Sequence, residues 1–282
     1  MREGCAWVLG RARHVRLGRC DRLAEMVMQR PVPTWDSRRH FSGSRDRTIT
    51  YLLVLDTVNF SFWGGQTGGY WQLAERVRDV FQSSDALADP GRLSRMTPAR
   101  LSELIGPFPM IEQRARSLRE LGRRGFDGLV KRSAAATARA LAEGLASFAD
   151  VVEYDGRDVP ILKRAQILPA DLHAAGVANY ADLGELTCFA DYKLPQVLRH
   201  FGALEYTERL RRRVDGWEEL SLGEPAEVEI RAATVVAVER LRDLLAERGR
   251  QLSAVELDWM LWEISQSLYP VRPYHRTRTI FY

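Results

Sequence analysis

The stretch "ELDWMLWEIS" (256–265) reads as a helix, with Leu257, Leu261, Trp262 and Ile264 suited to a packed interior. Asp258 breaks that pattern. It lies one turn before Leu261 and Trp262, and residues three and four apart share a helix face. A carboxylate on an apolar face is costly unless it is paired, hydrogen-bonded or used. Arg231 and Arg276 are candidate partners. Glu263 follows five residues later, about 140° around the helix, so the two acids cannot form a close pair on one face. Glu263 therefore reads as solvated or separately paired.

The same reading along the chain predicts a first helix over 15–30, stopped by Pro31 and Pro33. The most apolar stretch, 48–63, fits either a strand or a buried helix, and "GGQTGGY" (64–70) reads as a turn. Periodic segments follow at 70–82, 97–106, 109–124 and 129–149. In the second of these, Thr97 is placed as N-cap, Pro98 at the first helical position and Gly106 at the end. "VVEYDGRDVPIL" (151–162) places two short apolar runs around Asp155-Gly156, a hairpin signal because glycine tolerates positive φ. Helices are predicted at 163–175, 180–187, 193–203, 207–214, 225–248 and 253–268, then an extended tail. Residues 1–14 are basic and weakly apolar and read as a mobile tail rather than a targeting segment. The expectation is a mainly α protein: a single helical domain over 15–282 with a small β element.

Composition narrows the class without deciding it. Apolar residues make up 45% and charged residues 28%, which suits a globular chain. The balance of 41 basic and 37 acidic residues gives +4, too mild to choose between an anionic small molecule and nucleic acid. Cys5, Cys20 and Cys188 are far apart with no CxxC, which disfavours a disulfide framework or a zinc site and fits a reducing, cytoplasmic setting. No apolar run reaches about 18 residues, so no membrane span is expected. GxGxxG, GxxxxGK[ST], HExxH and GxSxG are all absent.

What remains as chemistry is acids, aromatics and basic residues. In "DLGELTCFADYKLPQVLRHFGALEY" (182–206), Asp191 falls just before a predicted helix N-terminus, where orphan N–H groups and the dipole stabilise an anion. It serves either as an N-cap or as a ligand-binding acid, with Phe189 and Tyr192 beside it to stack on a flat ligand. Glu227 and Arg231, at i, i+4, read as a helix-surface pair. Lys163 and Arg164, and His275, Arg276 and Arg278, form two basic groups able to hold a phosphate or simply to face solvent. Asp56 and Asn59 read as a loop brace.

The segments "LVLDTVNFSFW", "GGYWQL", "LKRAQILPADLHAA", "LTCFADYKLPQVLRHFGALEY", "EVEIRA", "LDWMLWEIS" and "PYHRTRTIFY" together closely resemble the queuosine salvage family of N-glycosidases, from about residue 15 to the end. The resemblance implies hydrolysis of the N-glycosidic bond of queuosine 5′-monophosphate, releasing queuine and ribose 5-phosphate for tRNA modification. It also implies a core similar to helix-hairpin-helix DNA glycosylases. The glycine pair usual in that hairpin is replaced by "FAD", a departure that favours a small-nucleotide pocket over a DNA backbone. The resemblance implies that Asp258 is the catalytic carboxylate and that Asp191 and Phe189 contact the base, with the roles of the two acids exchangeable. Tyr192 and Trp259 would wall in the base. Lys163, Arg164, His275 and Arg276 are candidates for the 5′-phosphate. A monomer that needs no metal and no organic cofactor is expected, with no stable nucleic-acid complex. The alternative is a noncatalytic nucleic-acid-binding module.

Overall fold

A computed structural model describes residues 1–64, 68–269 and 271–282. In chain order the elements are α1 (Arg2–Leu9), β1 (Val15–Leu17), α2 (Asp21–Met28), α3 (Arg45–Thr57), α4 (Tyr70–Ser83), α5 (Pro90–Leu93), α6 (Pro98–Ile105), α7 (Ile111–Arg124) and α8 (Ala134–Gly144). There follow β2 (Val151–Tyr154), β3 (Arg157–Pro160), α9 (Lys163–Ala174), α10 (Lys193–His200), β4 (Leu204–Tyr206), α11 (Glu208–Asp215), α12 (Pro225–Glu247) and α13 (Ala254–Ser267). The protein is mainly helical, as its periodicity predicts. No helix among the described residues is long and apolar enough to cross a membrane. The chain forms two compact units.

The first unit comprises Met1–Pro33, Asp150–Lys163 and Leu183–Arg278. Its axis is α12, which is buried nearly all round from Ala226 to Val238. The segment expected as an N-terminal tail instead contains a helix. Cys5 and Val8 of α1 enter the core, and the Arg2 guanidinium donates to Glu239 and to the carbonyls of Gly184, Glu185 and Leu186 at 2.7–2.9 Å. Apolar spacing at positions 5 and 8 supplies the physical reason: it gives a short helix one face to bury. The helix expected over 15–30 is divided, because β1 pairs antiparallel with β4, Val15 opposite Tyr206 and Leu17 opposite Leu204. Gly18 permits that pairing, since a Cβ there would sit 2.0 Å from the Gly202 carbonyl oxygen. The β2–β3 hairpin forms as expected, with Asp155 and Gly156 at φ 45° and 75°, the two positive angles of a tight primed turn.

The second unit comprises Thr34–Ala149, Arg164–Asp182 and Thr279–Tyr282. Residues 48–57 of the 48–63 stretch lie in a buried helix, α3, rather than a strand, and 58–63 continue without regular structure; every residue from Tyr51 to Thr57 is buried. Thr97 caps α6 by accepting from the Arg100 N–H at 3.1 Å, and Gly106 ends it at φ 99°. Two fully buried arginines donate to main-chain carbonyls. Arg114 donates to the carbonyls of Val58, Phe60, Ser61 and Pro109. Arg164 donates to those of Asp56, Thr57, Ser147 and Ile280. The Asp56 and Thr57 carbonyls end α3, where a cation suits both the orphan oxygens and the dipole. Of the turn expected over 64–70, residues 65–67 lie outside the described residues.

Candidate active site

The first unit brings Asp258, Phe189, Asp191 and Lys163 together. Asp258 sits in α13, whose start is set by a capping box: the Ser253 hydroxyl accepts from the Glu256 N–H and the Glu256 carboxylate accepts from the Ser253 N–H. Four residues into that helix, the Asp258 carboxyl is buried on the core face. Its Oδ1 accepts the Phe189 N–H at 2.7 Å. Its Oδ2 takes no hydrogen bond from any described residue. Burial pushes its pKa well above the usual carboxylate range, and the Asp191 charge adds to the rise. The Phe189 N–H and Lys163 pull the other way.

Asp191 caps the start of α10 from the position before the N-cap residue Tyr192, and with only one oxygen. Its Oδ1 accepts the N–H groups of Lys193 and Leu194 at 2.7 and 3.1 Å, satisfying orphan donors at the start of α10. Its Oδ2, like that of Asp258, takes no hydrogen bond from any described residue. Each acid thus uses one oxygen to hold the 188–192 loop and leaves the other for something else. Cys188, buried beside them, has its thiol pKa raised by burial and by the Asp258 charge.

The partner expected for Asp258 goes elsewhere. Arg231 forms a fork-on-fork pair with Asp150, at 2.9 and 2.6 Å, and its Nε donates to the Ala190 carbonyl at 3.1 Å. Glu227 stands 3.7 Å away on the preceding turn. The pair read from its spacing as a surface feature is fully buried, 0% exposed at both residues. Spacing along one helix does not report that α12 is covered on all sides.

Around the acids, Tyr192 is buried, with its ring 4.8 Å from that of Tyr274. Trp259 is half-buried next to Asp258. Arg276 lies over the exposed Trp217 ring at 4.1 Å. His275 is buried, and burial lowers its pKa to about 3, with the Arg231 charge adding to the fall; near neutral pH it presents a neutral ring, not a cation. Lys163 is buried and opens α9, its N–H bonded to Asp150 Oδ2 at 3.1 Å. In the second unit, Arg164 donates to the four carbonyls named above.

Three side chains escaped the sequence reading. Lys193 lies over the Tyr274 ring at 5.4 Å, and burial lowers its pKa against the pull of Asp191. Tyr274 and Trp217 meet edge to face at 5.3 Å. Lys193 directly follows "FADY" and Tyr274 precedes His275, so adjacency was an available signal for both. Trp217 had none, because the contacts that draw its loop to the tail, among them the Leu220 N–H to Arg276 carbonyl bond and the Arg278–Glu219 ion pair, span about 60 residues of sequence.

The family model described as "Queuosine salvage protein" matches residues 39–282. A protein of Sphaerobacter thermophilus named queuosine 5′-phosphate N-glycosylase/hydrolase is 41% identical, with 92% of this chain and 90% of that protein covered. Proteins of the same name from Dictyostelium discoideum and Bos taurus are 32% and 29% identical, each aligned over 100% of this chain and 98% of the relative. Seven ordered motifs, a family model spanning most of the chain and near full-length relatives agree: this chain belongs to the queuosine salvage protein family.

Proposed function

We propose that this protein hydrolyses the N-glycosidic bond of queuosine 5′-monophosphate, giving queuine and ribose 5-phosphate. The observation that carries the reading is the pair of buried carboxylates, Asp258 and Asp191, each with Oδ1 bound to main-chain N–H groups and Oδ2 open. Relatives covering most of the chain bear the name of that activity.

Cleavage of the C1′–N9 bond sends its electron pair to the base and leaves positive charge on the ribose. A carboxylate facing that carbon stabilises the charge, and a low-dielectric surrounding strengthens the effect. Water then adds its oxygen to C1′, and its proton balances the departing base. Asp258 is the residue we assign to the ribose, and Asp191 to the donor edge of the base, an assignment that can be exchanged between them. Phe189, Tyr192 and Trp259 wall the base, and Lys163 and Arg276 are the cations we assign to the 5′-phosphate. An acid that must be ionised to act, and whose pKa is raised, loses activity as pH falls through that raised value. The acidic limb of the rate profile therefore lies above the ordinary carboxylate range.

The nucleic-acid alternative gains no support from α11, the most arginine-rich segment. Its Arg211, Arg212 and Arg213 are matched to Glu208, Asp215, Glu218 and Glu224 at 2.6–3.5 Å. The deciding experiment incubates the purified protein with queuosine 5′-monophosphate and follows queuine by mass spectrometry. Stoichiometric release of queuine and ribose 5-phosphate is expected. A folded protein that releases neither overturns the reading.

A further inference from the structure

Asp150 and Arg231 lie outside the set of residues assigned to substrate, yet they tie its parts together. One carboxylate oxygen of Asp150 receives Arg231 Nη1 at 2.9 Å. The other receives Nη2 at 2.6 Å and the Lys163 N–H at 3.1 Å. The Asp150 main-chain carbonyl accepts the N–H groups of Ile161 and Leu162 at 3.0 Å each. Arg231 Nε then donates to the carbonyl of Ala190, the residue between Phe189 and Asp191. Asp150 and Arg231 are both at most 1% exposed.

The local backbone shows that this hold is tight. Leu162, immediately before Lys163, has φ 53°. A bulky residue persists in the left-handed region only where its surroundings over-determine it, and such residues cluster at functional sites. Here the surroundings are the two oxygens and the carbonyl of Asp150.

We infer that Asp150 and Arg231 are positioning residues of the active site, acting as one clamp that sets Lys163 on one side and the Phe189–Asp191 loop on the other. The clamp is indirect in its effect on chemistry. Through Ala190 it steadies the Phe189 N–H against Asp258 Oδ1, and through the Lys163 N–H it holds the backbone of a cation whose charge favours the ionised acid. The groups facing Asp258 are Lys163, Asp191, Cys188 and the Phe189 N–H, and the clamp holds the main chain of Lys163 and of Ala190, which joins Phe189 to Asp191. Loosening it withdraws stabilisation from the ionised Asp258 and lets Lys163 and the Phe189–Asp191 loop shift. The signature is a fall in kcat together with an acidic limb moved to higher pH.

This inference rests on the proposed hydrolysis, so the experiment measures wild type first. Arg231→Lys keeps a cation beside Asp150 but cannot make the fork and the Ala190 bond together. It is compared with Leu245→Ala, a buried change at the far end of α12 that touches none of these residues. We expect Arg231→Lys to lose roughly 10- to 100-fold in kcat, the scale of a misplaced reacting group, with its acidic limb shifted upward. Leu245→Ala should lower the melting temperature and leave the limb where it is. Should Arg231→Lys fail to fold, Asp150→Asn, which keeps the volume and one acceptor, carries the same test. An active wild type with a folded clamp variant of unchanged kcat and unchanged limb overturns the clamp. An inactive wild type overturns the hydrolytic reading itself.

Discussion

Asp150 and Asp258 are both buried acids of the first unit, and they are treated in opposite ways. Asp150 is saturated: a bidentate arginine and a main-chain N–H occupy its carboxylate. Asp258 receives one main-chain N–H, keeps an oxygen open, and has its pKa raised by burial and by a second acid. A satisfied buried acid ties structure together. An acid left short of partners is costly to the fold and persists where its reactivity is used.

The largest expected effect tests the saturated acid. Asp150→Ala removes the bidentate carboxylate from the buried Arg231, and should cost about 3–5 kcal/mol, read from the urea midpoint. A loss near zero would erase the contrast between the two acids. Asp258→Asn should do the reverse. Catalysis should fall by roughly 10²–10⁴-fold in kcat, the scale of a positioned carboxylate's contribution. The fold should survive and gain stability at high pH. The sign follows from linkage. Because the folded pKa is raised, wild-type stability is full below the unfolded carboxylate pKa and is lost as pH rises through the folded value. The asparagine variant, which does not titrate, escapes that loss. Melting curves at pH 4 and pH 8 read the difference; a variant no more stable at pH 8 than wild type contradicts it.

Asp191 lies between these extremes, because one of its oxygens caps α10 while the other is open. Asp191→Asn retains a capping acceptor, so its melting temperature should stay near wild type while activity falls. Asp191→Ala should lose about 1 kcal/mol more through the lost cap. Equal stability of the two variants would mean the cap contributes nothing. The smallest effect belongs to Phe189, whose contribution to Asp258 comes from its backbone. Phe189→Leu keeps that N–H and should raise KM several-fold with little change in the acidic limb. A shifted limb would show that the ring itself, not the N–H, tunes the acid.

The local features were legible because their causes are local. Thr97-x-x-Arg100 and Gly106 specify α6 from neighbouring atoms, and Asp155-Gly156 specifies a turn that only positive φ can close. Asp258 stood out because a 3.6-residue period exposes any polar residue placed on an apolar face. The site around it was named by the family resemblance, not by periodicity. Periodicity failed where partners are distant in sequence. β1 was merged into a helix because its partner strand lies about 190 residues on, and α1 was read as a tail because the helix it packs against begins at Pro225.

By itself, then, the chain's sequence determined the helices with strong local punctuation, the hairpin, the out-of-place acid and, through its ordered motifs, the family. Only the tertiary structure decided which charges meet. Glu227–Arg231 is buried rather than solvated, Arg231 pairs with Asp150, and Arg164 donates to carbonyls of distant segments. Capping and turn energies act over three or four residues and can be read along a line. A charge's energy depends on everything within several ångströms in space, and that neighbourhood exists only once the chain has folded.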